Sequence, residues 1–141
     1  MVSEVSKIVQ TPGVILVMLE NDSAVRQIYT DGRKLPADNS PSWFGYSVGK
    51  WEADTLVVDT VGFNDKSWLD VIGHPHSEAM HLTERYRRRD FGHMDVETTI
   101  DDPVMYTRPF TVKVTHELQP DSDILEYICA ENEKDNSHIK N

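Results

Sequence analysis

Apolar residues along this chain recur mostly with a period of two, the spacing that turns one face of a β-strand toward a core. The clearest run is Phe110 to Leu118, where Phe110, Val112, Val114, His116 and Leu118 alternate with polar residues. Trp43 to Trp51 alternates by size, with Phe44, Tyr46 and Val48 on one side and Gly45, Ser47 and Gly49 on the other. Val14 to Leu19 is apolar at every position, so it reads as a strand apolar on both faces. Lys7 to Gln10, Ala24 to Thr30, Thr55 to Val61 and Ile124 to Cys129 also read as strands. Turn residues punctuate these runs at Thr11-Pro12-Gly13, Asn21-Asp22-Ser23, Asp31-Gly32, Glu52-Ala53-Asp54, Asp101-Asp102-Pro103 and Gln119 to Asp123. Arg33 to Ser42 is a loop. One segment, Lys66 to Ile72, reads as a short helix, entered from Asn64 or Asp65 and stopped by Gly73.

The hairpin of Met80 to Asp90 and Met94 to Ile100 can be set in register from its pattern. Leu82, Glu84, Tyr86 and Arg88 share one face of the first strand, and His81, Thr83, Arg85, Arg87 and Arg89 share the other. Placing Met94, Val96, Thr98 and Ile100 beside the first set predicts a three-residue loop, Phe91-Gly92-His93, with Arg89 opposite Asp95 and Arg87 opposite Glu97. The arginine run is then a solvated, ion-paired face rather than an anion-binding patch. The pattern as a whole predicts an all-β fold: an antiparallel up-and-down β-barrel of lipocalin or calycin type, with about eight to nine strands and one short helix. It occupies a single domain, residues 1–132, followed by a disordered polar tail, 133–141.

Composition narrows the partners. A formal charge of −10 over 141 residues argues against nucleic acid, whose phosphates call for a basic surface. No apolar run is long enough to cross a bilayer as a helix, so a soluble protein without a membrane partner is expected. As written the chain has no export signal and reads as cytoplasmic; a trimmed signal would make it periplasmic or secreted. Cys129 is the single cysteine, which excludes an intrachain disulfide and the usual zinc–thiolate spacings.

Candidate chemistry concentrates between Gly73 and Asp90. Glu84 shares its face with Leu82 and Tyr86, and a buried carboxylate must either be ion-paired or carry a raised pKa, the state of a useful general acid or base. Arg88 lies two residues further on that face. His76 can serve as a base oriented by Asp70, and His74, His116, Trp68, Tyr86 and Tyr46 are candidate ligand contacts. His74, His76 and His81 include suitable metal-ligand types, but no defined spacing supports a site, so neither a metal nor any other cofactor is expected. Ser77 lacks a Gly-x-Ser-x-Gly elbow, and no serine hydrolase is read from it.

The segment Trp51-Glu52-Ala53-Asp54-Thr55-Leu56-Val57-Val58-Asp59-Thr60-Val61-Gly62-Phe63-Asn64 resembles that of a family of uncharacterised bacterial proteins. The likeness continues through Trp68-Leu69-Asp70, Gly73-His74-Pro75-His76-Ser77, Thr83-Glu84-Arg85-Tyr86-Arg87-Arg88 and Asp101-Asp102-Pro103. That family has no settled activity, so the resemblance implies relatives and no reaction. Ala53 stands where the family usually has glycine. Family members often carry a longer N-terminal region, which implies that a barrel formed by this chain could be open or completed by a second copy.

The function expected from these residues is binding of a small, largely apolar organic molecule, with metal-free acid–base chemistry of the lyase, hydratase or isomerase type. Glu84 or His76 would move the proton, Asp70 would orient the imidazole, and Arg88 or Tyr86 would hold developing charge. The alternative is a non-catalytic carrier of the same fold.

Overall fold

The computed structural model describes residues 5–20, 23–38 and 40–126. They form one eight-stranded sheet whose spatial order follows the chain: β1 (Ser6–Thr11), β2 (Val14–Leu19), β3 (Val25–Tyr29), β4 (Tyr46–Glu52), β5 (Thr55–Val61), β6 (His81–Arg88), β7 (His93–Asp101) and β8 (Phe110–Glu117). Every junction is antiparallel except β3–β4, which is parallel and paired only at Ile28↔Ser47 and Tyr29↔Val48. The crossover this requires is the loop between Tyr29 and Tyr46. The sheet curls into a half-barrel. Among the described residues no ladder joins β1 to β8.

Register carries one set of side chains across the inner face. Gly49 lies beside Val58, Val58 beside Glu84, Glu84 beside Thr98 and Thr98 beside Val112. The small residues of β4 turn inward: Ser47 and Gly49 are buried, whereas Tyr46 and Val48 on the other face are half-buried. Gly49 is required there, because a Cβ would sit 2.9 Å from Ile28 Cγ2 and 3.2 Å from Leu56 Cδ1. Ile15, Ile28, Leu56 and Val58 form one core cluster, with Val17 and Tyr86 against it. Phe63, Met80, Leu82 and Ile100 form a second, joined by Leu69. The sheet's flank is less covered: Phe110 and Val112 of β8 are 36% and 41% exposed. In β2 Ile15 is buried and the other positions are half-buried.

Three expectations are corrected. Lys66 to Ile72 is not a helix, and none is present among the described residues; nor, among them, is any helix long and apolar enough to cross a membrane. The segment is a small hairpin instead, with Trp68 bridged to Pro75 and the Leu69 amide donating to His74 O at 2.8 Å. Seven residues are too few to repay helix nucleation, and Asp70 competes for the backbone by accepting from the Ile72 and His74 amides. The β6–β7 register is shifted by two residues, Arg87 opposite Asp95 and Arg85 opposite Glu97. Its connection is longer than expected because Arg89 and Asp90 both donate to His93 O, the two-against-one arrangement of a bulge. An even shift preserves the faces, so Leu82, Glu84 and Tyr86 turn inward as expected, while Arg88 at the strand end is exposed. Ile124 to Glu126 lie outside the sheet, and the remainder of the expected ninth strand, with Cys129 and the tail, lies outside the described residues.

The outward arginines are ion-paired. Arg87 reaches Asp54 at 3.1 Å, Arg85 reaches Glu52 at 3.2 Å and Arg89 reaches Asp95 at 3.4 Å. All are solvent-exposed pairs, screened by water, and contribute little to stability.

Candidate functional site

Glu84, at the centre of the inner face, is 2% exposed and fully engaged. Its partner is Arg26 of β3 rather than Arg88. Arg26 donates from Nη1 to Glu84 Oε1 at 3.1 Å and from Nη2 to Glu84 Oε2, and Tyr86 OH donates to Glu84 Oε1 at 2.7 Å. Arg26 also reaches Ser47 Oγ from Nε at 3.1 Å and Thr60 Oγ1 from Nη2 at 2.8 Å. Ser47 and Thr60 bond each other at 2.9 Å, so β3, β4, β5 and β6 are tied by one polar network inside the apolar core. Burial disfavours the arginine's charge, but the Glu84 carboxylate outweighs it and raises the guanidinium pKa. Burial, then the nearby Glu84 charge, pushes the Tyr86 hydroxyl above its ordinary value.

Arg26 is also part of a cleft. Because β3 and β4 pair at only two positions, the segments ahead of those positions part, and an opening of about 690 Å³ forms there. Its lining includes Arg26, Tyr29, Trp43, Phe44, Tyr46, Ser47 and Ser67. One wall is braced from outside: Tyr29 and Tyr46 stack with centroids 5.2 Å apart, Arg33 lies 3.8 Å above the Tyr29 ring, and its Nη1 donates to Tyr46 OH at 3.0 Å. The cleft lies at the strand gap, with Arg26 and Ser47 of the inner-face network in its wall. The inner face between β2 and β6 is filled by the first core cluster and the Arg26–Glu84 network.

The loop from Gly62 to Met80 supplies the other wall. Ser67 Oγ lies 2.8 Å from His76 Nε2, and His76 Nδ1 lies 3.4 Å from Ser77 O. A proton on Nδ1 satisfies both contacts, with Nδ1–H donating to the carbonyl and Nε2 accepting from the serine hydroxyl. The ring is 4% exposed and sits edge-on to Phe63 at 6.1 Å. Asp102 fixes the adjoining peptide, accepting from Ser77 N at 2.6 Å, Ser77 Oγ at 2.8 Å, Val104 N at 3.1 Å and Met105 N at 3.2 Å. Burial alone would raise the Asp102 pKa; the Ser77, Met105 and Val104 hydrogen bonds together outweigh it and hold the carboxyl below its usual range. Tyr106 OH donates to Pro75 O at 2.8 Å, pinning the loop from the other side.

The residues singled out in the sequence thus fall into separate places. Glu84 and Tyr86 meet in the core, Tyr46 lines the cleft, and His76 stands behind its Ser67 wall. Asp70 does not orient His76: it pairs with His74, Nδ1 to Oδ2 at 2.5 Å, on an exposed loop, and the His74 hydrogen bond lowers its pKa. Arg88 is exposed at the rim, donating to Asp90 O and Phe91 O. His116 is half-buried beside Met94 on β8, and Trp68 is 66% exposed. Among the described residues no group of three or more His, Cys, Asp or Glu side chains is arranged to hold a metal ion. Arg26 and Ser67 were missed. Arg26 had a signal, since it shares a strand face with Ile28; Ser67 had none, because its partner is nine residues away across a turn.

The fold and cleft together define a class, a single-sheet half-barrel with an aromatic-walled opening between two splayed strands. Comparison of the chain with protein-family models, with curated proteins and with solved structures returns no match.

Proposed function

We propose that the protein binds a small, largely apolar organic molecule in the cleft between β3 and β4. The observation that carries this is the opening itself: its size falls within the range of about 300–1,000 Å³ usual for small-ligand sites, and aromatic walls surround a few polar groups, Arg26, Ser47 and Ser67. The parallel with lipocalins is one of use, a rigid β-scaffold holding a small ligand, here at a strand gap. Glu84 acts indirectly, holding Arg26 as part of the cleft wall.

Trp43 lines the opening and is 60% exposed, so its fluorescence can report occupancy. The anionic aromatic dye 8-anilinonaphthalene-1-sulfonate should bind the folded protein and quench Trp43, and Ala24→Trp, which fills the opening, should abolish dye binding. Equal dye binding by the filled variant would refute the assignment.

Catalysis on the bound molecule is favoured over simple carriage by the hydrogen bond between Ser67 and His76 at the cleft wall. Proton transfer through Glu84, as lyase or isomerase chemistry would need, has less support, because both of its oxygens already accept from Arg26 and one also accepts from Tyr86.

A further inference from the structure

We infer that Ser67 is a nucleophile, that His76 is its general base, and that the cleft hydrolyses esters of short apolar acids. This rests on the cleft being the ligand site. Ser67 is half-buried and lines the opening, while its hydroxyl is 2.8 Å from His76 Nε2, within reach for proton transfer. The imidazole is buried behind it, with Nδ1 turned to the Ser77 carbonyl, the contact that makes Nε2 the accepting nitrogen. Asp102 accepts from the Ser77 amide and hydroxyl, and the Ser77 carbonyl itself accepts from the Met80 amide at 3.2 Å, so the residue that carries it is held in place. Nucleophile, base and an orienting third group are thus present in the order such sites use, with a main-chain carbonyl in place of the usual carboxylate.

The steps balance without a co-reactant other than water. Ser67 Oγ attacks the acyl carbon as its proton passes to His76 Nε2, giving the tetrahedral intermediate. The carbon–oxygen bond to the alcohol breaks, and His76 returns the proton to the departing alkoxide. Water then attacks the acyl-serine, giving its proton to His76, which hands it to Ser67 Oγ as the carboxylic acid leaves. The aromatic walls select a short apolar acyl group and disfavour a charged one.

The test uses the full chain with p-nitrophenyl butyrate as substrate and a fluorophosphonate as active-serine label. Ser67→Ala and His76→Gln should each lower kcat/KM by about 100-fold or more. His93→Ala, removing a surface imidazole paired with Asp90, should leave it unchanged and so separates site catalysis from general imidazole catalysis. Peptide mapping should place one phosphonyl adduct on Ser67, absent in His76→Gln. If His76→Gln fails to fold, Ser67→Ala alone decides, since its side chain contributes no core packing. Full turnover by Ser67→Ala, or no adduct on Ser67, while the dye still binds wild type and not Ala24→Trp, overturns the nucleophile and leaves the cleft standing. Unchanged dye binding by Ala24→Trp brings down the cleft itself.

Discussion

Glu84→Gln should be among the most damaging conservative substitutions in this protein. The carboxylate is 3% exposed, so it has no water to fall back on, and the guanidinium, 15% exposed, has little. Glutamine keeps the shape of glutamate but removes the countercharge, and it turns an amide N–H₂ toward a guanidinium that can only donate. Leaving a buried charge uncompensated costs about 3–5 kcal/mol, a large share of the roughly 5–15 kcal/mol by which a domain is stable. Replacing both partners, as in Arg26→Met with Glu84→Leu, removes both charges at once. Ser47 and Thr60 keep each other, and Tyr86 loses one acceptor, a loss of about 1–3 kcal/mol. The double variant should therefore be less destabilised than the sum of its parts, with a coupling of about 2 kcal/mol or more. Urea unfolding followed by tryptophan fluorescence gives each ΔG from midpoint and slope. A Glu84→Gln cost under about 1 kcal/mol, or additive losses, would refute the view that the pair is a single buried unit.

Two further outcomes are expected. Ala53 is held at φ 54° as the first central residue of the two-residue β4–β5 loop, a position that favours glycine. Relief of about 1–2 kcal/mol of left-handed strain exceeds the added unfolded-state entropy of glycine, so Ala53→Gly should raise stability by about 0.5–1 kcal/mol; a lower urea midpoint would contradict this. Asp102, with its carboxyl pKa depressed in the folded state, binds fewer protons there than when unfolded. Its contribution is present above the ordinary carboxylate range and is lost as pH falls through the lower folded value. Acid titration of stability should accordingly show a shallower decline for Asp102→Asn than for wild type, starting from a lower plateau; parallel curves would exclude Asp102 as a contributor.

Alternation along the chain was enough to place the strands and to say which side chains of β6 and β7 face inward, because side-chain direction has a period of two and survives the two-residue register shift. Inward placement of Glu84 beside Leu82 and Tyr86 was legible for the same reason. The arginine pattern also pointed to an outward, ion-paired face; Arg89 meets Asp95 as expected, while Arg85 and Arg87 find Glu52 and Asp54 on the neighbouring hairpin. Local reading failed at Lys66 to Ile72, where helix-like spacing in seven residues could not compete with the Asp70 turn and the Trp68–Pro75 bridge.

What only the tertiary structure decided is who meets whom across the sheet. Arg26 and Glu84 are 58 residues apart in the chain and meet because β3, β4, β5 and β6 lie side by side on a curled surface. The parallel β3–β4 junction, with its two paired positions, opens the cleft, and nothing in either strand alone announces that orientation. Ser67 reaches His76 only because the chain doubles back between them. Sequence periodicity records which way a side chain points from its own strand; the partner it finds depends on strand order and closure, which are properties of the whole sheet.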